Sequence, residues 1–156
     1  IGLPDKANPG AWSELYEDKI ARAKIEADRY EKIAEGIRKA KAEALRNRYT
    51  LQVYEQTNNL QNYPVRLILA LNDYDTAKDE TARRDALETV AEVCDYFDVM
   101  RADLESVYSE TRFMQQPEGF ISDLNHHNHL ASKTNNSDWW YYYEIPMIRK
   151  VRTWMK

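Results

Sequence analysis

The stretch "DLNHHNHLASKTNNSDWWYYYE", Asp123 to Glu144, holds all three histidines of the chain and two of its four tryptophans. Two kinds of chemistry are open to it. If the segment from Phe120 to Ser132 is helical, Asp123, His126 and His129 fall three residues apart along one drifting stripe. Carboxylate and imidazole are good ligands for zinc or nickel, and such a set could hold one ion with water completing the shell. Helical zinc pairs more usually sit four residues apart, as in H-E-x-x-H, and no such pattern occurs. The favoured reading is structural: the imidazoles and flanking asparagines bond to loop carbonyls and helix ends. On that reading no metal and no other cofactor is expected.

The aromatic run is the second candidate. Faces of Trp139, Trp140, Tyr141 and Tyr142 could stack on sugar C–H surfaces or form a domain contact. With Tyr143, however, five consecutive aromatics cover the whole circumference of a helix, so at least two must face neighbours. The favoured reading is core plus a domain–domain contact, with a sugar platform as the rival. Acid–base catalysis needs two carboxylates converging in a pocket. The chain has 26 acidic residues, but at helical spacings they read as paired, solvated faces. There is no Gly-rich phosphate loop, no G-x-S-x-G and no Cys–His constellation. Nothing in the sequence supports catalysis by this chain alone.

These residues must be positioned by helices. Tyr16, Ile20, Ala23, Ala27, Tyr30, Ala34 and Ile37 recur at spacings of four and three, a heptad-like stripe on one long helix. Asn8-Pro9 is an N-cap and first-turn pair, with Ser13 as an alternative cap. No breaker intervenes before the Asn58-Asn59 region, so the rod is expected to run on to there. Pro64 forces a boundary or a kink. Beyond it an apolar helix ends near Asp73, Asp75 and Thr76. A second long helix spans about Asp79 to Phe113, with Ala86, Val93, Met100 and Val107 in one seven-residue series and Val90, Phe97 and Leu104 in another. Cys94 beside that stripe reads as a small core residue.

Pro117-Glu118-Gly119 breaks the chain. Phe120, Leu124, His127 and Ala131 then share a face of a short helix. Trp140, Tyr143, Met147, Val151 and Trp154 share one on a last helix, with Pro146 bending it. The two short faces are expected to bury His127 and at least one of Trp139 and Trp140. No strand-like alternation and no long repeat is visible. The expected fold is an all-α, elongated antiparallel bundle of two long and several shorter helices with an aromatic-rich C-terminal cap. Residues 1–156 form one helical domain, with 1–10 as linker and 117–156 as an irregular, partly helical cap.

Composition agrees. At 156 residues with four glycines and 31% charged residues, the chain fits a single helical domain. Its net charge of −4, with signs interleaved, argues against a nucleic-acid partner. No apolar run approaches the ~18 residues of a membrane span. One cysteine excludes an internal disulfide and leaves the compartment open. The opening "IGLPDKANPGAW" lacks the basic and apolar regions of a leader, and the chain reads as a processed or excised piece of something longer.

One resemblance narrows the function. Residues Tyr108 to Ile148, through Thr111-Arg112, Pro117, His126-His127, "HLAS", Asp138-Trp139 and Glu144, resemble the C-terminal helical region of large Bacteroidetes glycoside hydrolases of family 20, the β-N-acetylhexosaminidases. The stretch "NYPVRLILALNDYD" is similar to the helical domain that follows the barrel in α-glucuronidases. Both resemblances imply a helical module appended to a TIM-barrel catalytic domain in an exported enzyme, periplasmic or at the cell surface. The family's catalytic Asp-Glu pair ends a barrel strand. Here Asp79-Glu80 starts a helix, and it receives no role. The expectation is therefore a non-catalytic accessory domain that supports the parent's catalytic domain or a subunit contact, with an oligomer possible. A carbohydrate-binding module and a stand-alone helical scaffold are its rivals.

Overall fold

A computed structural model describes residues 2–111 and 144–156. Among them are five helices and no strand: α1 (Ala11–Leu15), α2 (Glu17–Glu43), α3 (Arg48–Asp75), α4 (Glu80–Ser109) and α5 (Glu144–Met155). The all-α antiparallel bundle is the fold the chain adopts. α3 is its central helix, packed against α2 on one side and, more extensively, against α4 on the other.

Cross-links along the rods fix the antiparallel directions. Lys41 Nζ lies 2.6 Å from Glu55 Oε2 near the α2–α3 connection, and further along Asn58 Nδ2 donates to the Tyr30 carbonyl at 3.3 Å. The Tyr49 hydroxyl of α3 pairs with Thr111 Oγ1 just past the end of α4 at 2.6 Å, and between the two helices the Tyr63 and Phe97 rings meet at 4.9 Å. Both heptad-like stripes face inward as their periodicity requires. On α2, Ile20, Ala23 and Ile37 are buried and Ala27, Tyr30 and Ala34 half-buried, with Tyr16 half-buried just before the helix. On α4, Ala86, Val90, Val93, Phe97, Met100 and Val107 are buried and Leu104 is half-buried. Cys94 is fully buried beside them, a small core residue as its position suggested.

The first rod divides earlier than expected. Helix α2 ends at Glu43, Ala44 turns extended, and Asn47 takes the left-handed conformation at φ 59° before α3 begins. Asparagine is one of the few side chains that adopts this region at modest cost, which is why a turn without glycine or proline works here. Pro64, in contrast, makes no boundary. α3 continues through it from Arg48 to Asp75, with the ring on an exposed position. Proline removes the N–H that would bond the Leu60 carbonyl, a loss of about 3 kcal/mol in an isolated helix. Packing along both flanks of α3 offsets that loss. So among the described residues three helices of 27 to 30 residues stand where the sequence up to Phe113 suggests two long ones with a shorter one between them.

The N-terminus is also built differently from the Asn8-Pro9 expectation. α1 starts at Ala11 after Gly10, whose φ of 86° is open to glycine and strained for other residues. Its free N–H groups are met from the far end of α3. The Gly10 N–H donates to the Asp75 carbonyl at 3.0 Å, and the Ser13 N–H to Asp75 Oδ2 at 2.8 Å. Residues 2–10, read as linker, lie tied to the bundle. Trp12 Nε1 donates to the Gly2 carbonyl at 2.8 Å, the Gly2 N–H to the Tyr16 hydroxyl at 3.0 Å, and Trp154 Nε1 to the Pro4 carbonyl at 2.9 Å.

α5 closes the core. It inserts Ile148 and Val151, 2% and 0% exposed, into the cluster built by Leu71, Val90, Phe97 and Met100. At its end Arg152 Nη2 bonds the Cys94 carbonyl, Asp95 Oδ1 and Asp98 Oδ2, the last at 2.7 Å. The Trp154 ring meets Tyr74 edge-on at 4.8 Å.

Candidate functional site

The residues whose chemistry stood out in the sequence, Asp123, His126 and His129 for metal and Trp139, Trp140, Tyr141 and Tyr142 for sugar or domain contact, lie outside the described residues. So do Phe120, Leu124 and His127, with the packing expected of them. Of the aromatic face on the last helix, Met147, Val151 and Trp154 are described, half-buried, buried and half-buried respectively. Among the described residues no group of three or more His, Cys, Asp and Glu is arranged to hold a metal ion. No described helix is long and apolar enough to cross a membrane.

Two surface features remain, and α3 and α2 position them. The first is a cleft of about 300 Å³ between α3 and α5, lined by Tyr63, Pro64, Leu67, Ile68, Leu71, Glu144 and Met147. Tyr63, Leu67 and Leu71 succeed one another at four-residue steps on α3, so one helical ridge makes the floor. Pro64 and Ile68 form its rim. Tyr63 is 5% exposed, and burial pushes its phenol far above the usual range, with the negative charge of Glu144 and the nearby Cys94 adding to the rise. A rise in that direction favours the protonated phenol. An apolar floor with one phenol and one carboxylate has the makings of a binding surface. Among the described residues its lining holds one carboxylate, Glu144.

The second is the outer side of α2. Ile25 and Ile33 stand 71% and 39% exposed there, around a shallow concavity completed by Asp28, Arg29 and Lys32. α2 is packed along α3 by its other face, so these side chains face away from the core. Several surface carboxylates follow the solvated pattern: Lys39 reaches Glu35 at 2.8 Å and Arg101 reaches Glu105 at 3.3 Å, both along one helix. Exposed pairs of that kind contribute little stability. Asp79, half of the Asp-Glu dipeptide, is occupied as the N-cap of α4, its Oδ1 accepting from the Ala82 N–H at 2.8 Å.

The sequence marks Asp75 only as a helix end, where α3 does stop, and gives no sign of Arg152 or the Tyr63–Glu144 cleft. Asp75 did carry a signal. An acid in the last turn of a helix opposes the macrodipole, and such a residue is worth suspecting of another task. The comparisons with known proteins give no match among family models, curated proteins or solved structures.

Proposed function

We propose that the chain is a non-catalytic helical accessory domain of an exported glycoside hydrolase of the β-N-acetylhexosaminidase type, docked on its catalytic barrel. The glycosidase parent rests on the resemblance of Tyr108 to Ile148. The docking role is supported by one observation, the open side of α2. A helix at the edge of a layer, buried on one face and showing two isoleucines within a mixed polar rim on the other, has the character of a domain–domain contact.

Expressing the bundle and its barrel as separate chains tests this. The bundle should be inert toward chromogenic N-acetylglucosaminides and glucuronides and should bind the barrel. Ile25→Asp with Ile33→Asp should weaken that binding at least tenfold without lowering the melting temperature of the bundle. Two results would overturn the proposal: turnover by the purified bundle that a single substitution abolishes, or a parent reading frame without a (β/α)8 region.

A further inference from the structure

We draw no further inference here: the strongest candidate, the apolar cleft between α3 and α5 at Tyr63 and Glu144, adjoins the start of α5, beyond which residues 112–143 lie outside the described residues, so nothing in the structure shows what covers it.

Discussion

Asp75 is a carboxylate 2% exposed in the last turn of α3, where the helix's own carbonyls disfavour negative charge. It is held there by α1, whose first turn presents N–H groups to it from 62 residues away in sequence. Asp75→Ala should therefore lower stability by about 1–3 kcal/mol, the usual loss when a cap goes and a buried donor is left unmet. Asp75→Asn keeps an acceptor and should cost less. Urea denaturation of the two variants separates the cases, and equal losses would mean that charge, not the acceptor, matters. Cys94 is the second residue with a consequence. Burial pushes its thiol up from 9.0 to about 11, with Arg152 pulling the other way and Asp95 and Asp98 adding to the rise. A raised thiol pKa favours the folded state fully below about pH 9, and that contribution is lost as pH climbs through about 11. Thiol reagents at pH 8 should label the unfolded chain quickly and the folded chain at least a hundredfold more slowly. Fast labelling of the folded chain would contradict the burial.

At the level of elements, the sequence was legible where burial imposes a period. The stripes on α2 and α4 could be read residue by residue because three-four spacing is what one buried helical face requires. The break at Ala44–Asn47 was not legible, since its turn uses an asparagine among ordinary helix formers instead of glycine or proline. At Pro64 the boundary alternative fails in the opposite sense: a local cost was real, but α3, packed along both flanks, continues past it. That cost can be measured. Pro64→Ala restores the missing N–H, and the exposed ring leaves room for the exchange, so stability should rise by about 1–3 kcal/mol. A fall would show that the ring itself is needed at the cleft. Asn47→Val should act the other way, losing about 1–2 kcal/mol because a branched side chain resists positive φ. Thermal melts of both variants check the pair. The start of α1 was illegible for a simpler reason. Its cap comes from another helix, and no local motif can announce that.

Across the whole molecule, α5 and the N-terminal residues stabilise one another. Trp154 bridges them, with its ring on Tyr74 and its indole N–H on the Pro4 carbonyl. Trp154→Phe keeps an aromatic ring but drops the hydrogen bond and should cost about 1 kcal/mol. Removing residues 1–7 should cost more and should speed amide exchange in α5 ahead of α2. Uniform exchange across the helices would show that the two ends are independent. The candidate site was legible as chemistry but not as place. Histidines and tryptophans announce themselves by type, whereas the Tyr63–Glu144 cleft arises only when α3 and α5 come together. The α2 face was hidden because Ile25 and Ile33 fall outside the buried stripe and looked like incidental apolar residues.

The hydrogen bond from Trp154 to Pro4 carries one more consequence, for the order in which the chain can be written. It brings Pro4 and Trp154, 150 positions apart in the sequence, into contact. A few glycines and serines could span that gap, and the turn at Leu45-Arg46 has exposed side chains, Leu45 at 94%. In an isolated 1–156 polypeptide, joining Lys156 to Ile1 and opening the chain between Leu45 and Arg46 would give a circular permutant with α3 first and α2 last. The same helices would pack on the same faces, because their packing is set by the stripes and not by which segment is translated first.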